Sequence, residues 1–370
     1  MERKQIEPYL ATYFHSSGAK HKIPVAGNFE LTPRCNFNCP MCYIHSKNGH
    51  CADRELSAEQ WLSIAESARD RGLLFVLLTG GEPLLRRDFF EIYGEMKKMG
   101  LMVSVNSNGS LIRGEILERF IEDPPYRFNI SLYGACNETY EKMCGTPMFD
   151  TVVENLKALK NAGIDVRLNL SVTPYNMGDI QGVYDTAGAL GLHVKASSYM
   201  YPPLRIAGKT EAGRLDADTA AECSVFCDSI RFSEEEFKMR AESMMSGCAQ
   251  VHDDECLVVQ GEEMHCRAGR SSFWLTWDGT MLPCGMMNAP AAYPLETGFD
   301  EAWRIIREET EKIRLPAQCA VCSKKGICNV CAAVCLAETG GYDRAPEYVC
   351  RFTDGVLKET AKEYKRRFGG

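Results

Sequence analysis

The sequence predicts an α/β fold in which a parallel sheet with helical crossovers curls into a partial or complete barrel. Three observations predict it. Short strand-like runs alternate with amphipathic helical runs from Asn28 to Met200. The run "LLFVLLTGG" (Leu73–Gly81) is apolar throughout and ends in glycines, as strands buried on both faces do. Turn signals rich in Gly, Asn and Pro fall where the strands would end, in "TGGEP", "NSNGS" and "SLYG".

The elements follow in order. "NFELT" (Asn28–Thr32) is a short strand that feeds a cysteine-bearing loop. "SAEQWLSIAESARDRG" is a helix with a cap at Ser57, apolar spacing and a stop at Gly72. After the second strand, "RDFFEIYGEMKKMG" is a helix and "LMVSVNSNG" a strand. "GEILERFIED" is a helix stopped by Pro124 and Pro125, and "RFNISLYG" is the fourth strand. "FDTVVENLKALKNAG", "IDVRLNLSVTP", "GDIQGVYDTAGALG" and "LHVKASSYM" continue the alternation to a sixth strand. In such barrels chemistry sits on the loops at the C-terminal ends of the strands. The cysteine loop, "TGGEP", "NSNGS" and "SLYG" all fall on that face. "YMYPPLR" (Tyr199–Arg205) would line the mouth. Beyond it, "DADTAAECSVFCDSIRFSEEEFKMRAESMM" reads as partly exposed helix, with Glu234–Glu236 on a solvated face. From Cys256 to Cys350 cysteines dominate and periodicity is poor, so metal rather than a large apolar core is expected to hold the region. "RFTDGVLKETAKEYKRRF" closes as an amphipathic helix. The expected division is an N-terminal segment 1–24, a barrel 25–215, a helical bridge 216–255, a cysteine-rich domain 256–352 and a terminal helix 353–370.

The 370 residues are 45% hydrophobic and 25% charged, ordinary for a globular chain. A net charge of −8 argues against a nucleic-acid binder. The first twenty residues contain no signal-peptide core, and no run approaches the roughly 18 apolar residues of a membrane span. A cytoplasmic chain without membrane attachment is expected. It carries 18 cysteines, with three before residue 43 and eight between Cys266 and Cys350. In the cytoplasm, such clustering favours thiolate–metal bonding over a disulfide framework.

"CNFNCPMC" places Cys35, Cys39 and Cys42 within eight residues. Three thiolates can hold three irons of a [4Fe–4S] cube and leave the fourth iron open. A structural zinc or disulfide loop is the alternative. The stretch, with Tyr43 after the third cysteine, resembles the signature of the radical S-adenosylmethionine (SAM) enzymes. The resemblance implies a partial (β/α)6 barrel, a [4Fe–4S] cluster and SAM on its open iron. It also implies that Gly80, Gly81 and Glu82 of "TGGEP" bind the SAM amino group. Asn106 and Ser131 fall where related enzymes contact SAM, Ser131 being the better ribose candidate. Related members often carry Arg-Gly after the fourth strand; this chain has Cys144-Gly145 there.

Cys266, Cys284, Cys319, Cys322, Cys328, Cys331, Cys335 and Cys350 resemble the SPASM extension of that family, which houses auxiliary clusters. Zinc is the alternative for these sulfurs. The resemblance implies two auxiliary [4Fe–4S] clusters. Cys319, Cys322, Cys328 and Cys350 would hold the outer one. Cys266, Cys284 and Cys331, preferred over Cys335, would hold the inner one. Cys256, preferred over Cys248, would be its fourth ligand. Members with this extension mostly modify peptides or proteins through a 5′-deoxyadenosyl radical. The expected function is maturation of a ribosomally made peptide, most simply by cross-linking. A sulfatase-maturing oxidase, a small-molecule radical SAM dehydrogenase and a non-catalytic electron-transfer protein are the alternatives. The implied partners are a peptide or protein substrate and a reductant such as a flavodoxin or ferredoxin. The roughly 25 residues before the first strand are too few for a leader-recognition domain. A leader would bind the barrel or a separate protein.

Overall fold

The computed structural model describes residues 3–44, 54–205, 213–247, 263–264 and 266–369. Its strands are β1 (Ala26–Glu30), β2 (Phe75–Thr79), β3 (Met102–Ser107), β4 (Arg127–Ser131), β5 (Val166–Ser171), β6 (His193–Ser197), β7 (Ser272–Leu275) and β8 (Met281–Leu282). The first helices are α1 (Arg3–His21), α2 (Ala58–Asp70), α3 (Phe89–Lys98), α4 (Glu115–Glu122), α5 (Asn137–Cys144), α6 (Phe149–Asn161) and α7 (Ile180–Leu190). They are followed by α8 (Ala217–Arg231), α9 (Glu234–Met245), α10 (Pro294–Thr297), α11 (Phe299–Glu311), α12 (Ala317–Ala320), α13 (Ala332–Thr339) and α14 (Glu347–Phe368).

One sheet runs β6-β5-β4-β3-β2-β1-β7-β8. Strands β1 to β6 pair in parallel in sequence order, the arrangement that βαβ crossovers impose. The sequence places these six strands correctly, with starts displaced by a few residues. Helix α2 begins as expected, in a capping box formed by Ser57 and Gln60. The outer face of the sheet is dry: Phe29, Leu78, Val105, Phe128, Ile130 and Leu168 are all buried beneath the helices.

Two features depart from the sequence reading. An N-terminal helix, α1, packs through buried His15, whose Nδ1 lies 3.0 Å from Ser271 Oγ. Strand β7 joins β1 in parallel, Ala26 opposite Ser272 and Phe29 opposite Leu275. Phe273, Leu275, Phe299, Trp303 and Ile306 therefore belong to the main apolar core. From Phe273 to Ile306 the cysteine-rich stretch packs on that core, where the sequence reading expects metal in place of a large apolar core. A smaller apolar group of Met264, Met287, Ile313, Leu315, Ala332 and Ala333 supports the rest. No helix among the described residues is long and apolar enough to cross a membrane.

Candidate functional site

Side chains alternate across a strand, so the inner face of the curled sheet is set by register. Glu30 lies opposite Thr79, Asn106 opposite Asn129, Asn129 opposite Arg167 and Arg167 opposite His193. The next layer up places Ser131 opposite Asn169 and Asn169 opposite Lys195. The interior is thus polar where the exterior is apolar. Asn129 donates to Asn106 Oδ1 at 2.9 Å, and Asn106 donates to Thr79 Oγ1 at 3.4 Å.

Above these layers opens a cavity of about 400 Å³ at the C-terminal ends of the strands. Cys35, Cys39 and Cys42 all line it, as do Gly80, Gly81, Asn106 and Ser131. Six of the expected residues around the open-iron motif therefore converge with Ser131 in one place. Tyr199, Met200 and Tyr201 form part of the wall, as their position after the sixth strand predicts. Lys195 is the one Lys, Arg, Asp or Glu among the described lining residues.

Glu82 makes contacts within the protein that the sequence does not show. It is fully buried and does not line the cavity. Its carboxylate accepts from Ser107 Oγ at 3.1 Å, from the Asn108 amide at 2.8 Å and from the Leu84 amide at 3.2 Å. Burial pushes its pKa up to about 7 against those donors. Glu82 thus anchors the loop after β3. Three local donors, from Ser107, Asn108 and Leu84, share its two oxygens.

The glycines also act between loops. The Gly81 amide donates to Thr32 O at 2.7 Å and the Glu82 amide to Arg34 O at 2.8 Å. A side chain at Gly81 would run into the backbone of Arg34 and Pro33, and one at Gly80 into Thr32. Their missing Cβ atoms let the second loop lie directly on the cysteine loop. Asn108 completes the support. Its amide group donates to Asn36 Oδ1 at 2.8 Å and lies 3.8 Å from Cys35 Sγ, while Asn36 donates to Ser110 Oγ at 2.9 Å. Sequence reasoning passed over Asn108, although it stands inside the quoted "NSNG" turn, just beyond the end of β3. It also passed over Asn129, Asn169 and Lys195, whose alternation along β4, β5 and β6 was the available signal.

The Cys35 thiol is pushed up to about 12, first by burial and then by Glu82 and the two neighbouring thiols; the Phe37 amide opposes. Such a thiol stays protonated until a cation takes its sulfur. Cys144 is buried, and its carbonyl receives the Asn38 amide at 2.8 Å, so it braces the cysteine loop.

The cysteines from Cys266 to Cys350 lie near one another, and Cys331 also feels Cys328 while Cys335 feels Cys331, Cys319 and Cys328. Cys319, Cys322, Cys328 and Cys350 lie close enough to perturb one another electrostatically. Cys284 and Cys331 do the same, and Cys266 packs with them on the smaller apolar group. Cys331 stands at the N-terminus of α13 and Cys335 is fully buried one turn on. Cys256 lies outside the described residues. Among the described residues no three thiol, imidazole or carboxylate groups are gathered for a single metal ion. Three thiols on one loop beside the cavity, Cys35, Cys39 and Cys42, are the kind of donor set that holds three irons of a [4Fe–4S] cube.

Residues 29–187 match the sequence model of the Radical SAM superfamily. An AdoMet-dependent heme synthase of Methanosarcina barkeri is 26% identical over 344 residues, covering 88% of this chain and 96% of that one. A probable GTP 3′,8-cyclase of Saccharolobus islandicus is 34% identical over 165 residues, 44% of this chain and 53% of that one. Among solved structures, Streptococcus suis SuiB bound to precursor peptide SuiA superposes with a TM-score of 0.66 at 17% identity, covering 92% and 80% of the two chains. Native anSMEcpe with bound AdoMet gives 0.65 at 16%, covering 93% and 100%.

Proposed function

We propose that this chain, which carries a radical SAM domain at residues 29–187, matures a peptide or protein substrate by hydrogen abstraction. When bound, a [4Fe–4S] cluster and SAM would supply reductive cleavage to a 5′-deoxyadenosyl radical. Cys35, Cys39 and Cys42 would hold the cluster. The Gly80-Gly81 turn and the Asn36–Asn108 pair fix the loop that bears them. Asn106, Ser131 and the polar layers below would orient SAM. The apolar wall of Phe37, Met41, Ile44 and Met286 excludes water around the reacting centre.

One observation carries the reading: three open-motif thiols line one cavity, and Tyr201 and Met286 of its wall also pack on the apolar group that includes Cys266, Cys284 and Cys331. The solved structures of this shape include one with a precursor peptide, which supports a peptide client. Two auxiliary clusters would lie in the C-terminal half, the outer on Cys319, Cys322, Cys328 and Cys350. An external reductant such as a flavodoxin or ferredoxin would supply the electron. The full-length likeness to a heme synthase supports a second reading, in which the client is a small tetrapyrrole.

The test uses anaerobically reconstituted protein with SAM and dithionite. It is expected to bind about twelve irons, to yield 5′-deoxyadenosine, and to yield more with the peptide encoded beside its gene. Stimulation by a tetrapyrrole instead would select the second reading. Absence of 5′-deoxyadenosine would refute both.

A further inference from the structure

Lys195 brings a formal charge to the cavity wall, and none of the described residues answers it. Strand β6 alternates, with Val194 buried on the outer face and Lys195 and Ser197 on the cavity side. Lys195 stands opposite Asn169 and Asn169 opposite Ser131, so the three share one layer across β4, β5 and β6. Among the described residues Lys195 has no hydrogen bond or ion pair, and no Asp or Glu lines the cavity. The side chain is exposed rather than packed away, so its ammonium is open to a ligand. The two buried carboxylates nearest the cavity are already claimed. Glu30 accepts from Arg205 at 2.8 Å and from Trp274 at 2.9 Å, and Glu82 accepts from Ser107, Asn108 and Leu84. The ammonium is therefore an unmatched cation on a wall of amides, hydroxyls, thiols and apolar groups.

We propose that Lys195 binds a carboxylate of the client and determines specificity for it, whether that carboxylate belongs to an acidic side chain of a peptide or to a tetrapyrrole; this rests on the proposed radical SAM function. Position separates the lysine from SAM. Neighbouring strands stand about 4.8 Å apart, so Lys195 on β6 is about 10 Å across the sheet from Ser131 on β4 and about 19 Å from the Gly80-Gly81 turn after β2. The expected SAM contacts all lie on β2 to β4. Strand β6 is the edge of the sheet, the side of the cavity away from the cysteine loop that follows β1. An ammonium–carboxylate contact in a site that excludes water is stronger than one on an open surface. It fixes one end of the client, so that the hydrogen to be abstracted comes to rest on the SAM side.

Isothermal titration calorimetry on the reconstituted full chain, without reductant, tests this. The probes are SAM, the peptide encoded beside the gene, the same peptide with each Asp or Glu changed to Asn or Gln, and protoporphyrin IX with its dimethyl ester. Lys195→Met keeps the length of the side chain and removes the charge. It is expected to weaken client binding about 10- to 100-fold and to leave SAM affinity unchanged. Lys195→Arg should restore most of the client's affinity. The wild type should show a similar loss when one acidic residue of the peptide, or the porphyrin carboxylates, are neutralised, and Lys195→Met should then lose nothing further. Loss with the altered peptide assigns the carboxylate to a peptide side chain; loss with the ester assigns it to a tetrapyrrole. Equal client affinity in wild type and Lys195→Met would overturn the role of Lys195 and leave the proposed function standing. Weakened SAM with an unchanged client would overturn it too, by giving the lysine to the SAM carboxylate. A wild type that forms no 5′-deoxyadenosine under reduction would overturn the proposed function and this inference with it.

Discussion

Gly81→Ala is the sharpest probe of how the site is built. A Cβ at this position would stand 2.7 Å from the Arg34 carbonyl carbon and 2.9 Å from Pro33 O, and closer still to Arg34 O. Ordinary contact begins near 3.4 Å, so the two loops must part by at least 0.7 Å (3.4 − 2.7). The obstacle is backbone, which cannot swing aside as a flexible side chain does. The displacement strains the Gly81–Thr32 and Glu82–Arg34 hydrogen bonds, now 2.7 and 2.8 Å. Each is worth about 0.5–1.5 kcal/mol, and overpacking adds about 1–3 kcal/mol. The variant should therefore lose roughly 2–6 kcal/mol in urea unfolding. It should also assemble less iron on Cys35, Cys39 and Cys42 while the C-terminal iron survives. Gly94→Ala is the control: it lies within α3 with nothing inside 4 Å, and should gain about 0.5–1 kcal/mol. Wild-type stability and full iron content in Gly81→Ala would refute the loop-on-loop account.

Glu82→Gln replaces an acceptor pair with one acceptor and one donor group, so one of the Ser107, Asn108 and Leu84 donors loses its partner, at about 1–3 kcal/mol. With a folded pKa raised to about 7 by burial, the Glu82 contribution is full below the unfolded value and is lost as pH rises through 7; urea midpoints from pH 5 to 8 should lose that slope in the variant. His15 acts in the other direction. Burial, then Arg267, lowers its pKa to about 4, so stability is full above about 6.5 and falls as pH drops toward 4. The loss approaches about 3 kcal/mol, and His15→Gln should abolish it in unfolding measured across that window. Arg205→Met would strand the fully buried Glu30, whose Oε2 lies 2.8 Å from the guanidinium, and should cost about 3–5 kcal/mol. The double variant Glu30→Gln/Arg205→Met should recover part of it; a single-variant cost below about 1 kcal/mol would show the pair to be dispensable.

The barrel was legible because its signal is local. Each of β1 to β6 is a short run of the right period, and each is followed by its own helix pattern and turn residues. Strand β7 was not, because "SFWL" joins the sheet by pairing with β1, some 246 residues earlier (272 − 26). Helix α1 carries Pro8 and Gly18 and little amphipathic contrast, so it is a helix whose support comes from contacts such as His15 to Ser271. The thiols were legible because ligand spacing is written in the chain. The protein contacts of Glu82 were not legible for the opposite reason: Ser107 and Asn108 come from the end of the next strand, and only the fold brings them to its carboxylate.

The C-terminal half closes the barrel as well as extending it. Six strands of a parallel sheet leave a gap between the β1 and β6 edges, and an open gap would let water into the cavity. Arg205, just after β6, reaches across to Glu30 at the end of β1. Trp274 of β7 donates to the same carboxylate at 2.9 Å, and the Tyr43 ring lies 5.6 Å from the guanidinium. On the other side, Tyr199 and Arg214 both bind Glu338 of α13. The segment after β6 is therefore tied at one end to the strand that launches the cysteine loop and at the other to the helix that begins at Cys331. A buried ion pair contributes little net stability over an apolar replacement, but it fixes one geometry. Here that geometry is the placement of Tyr199 to Tyr201 on the cavity wall, between the two sets of thiols.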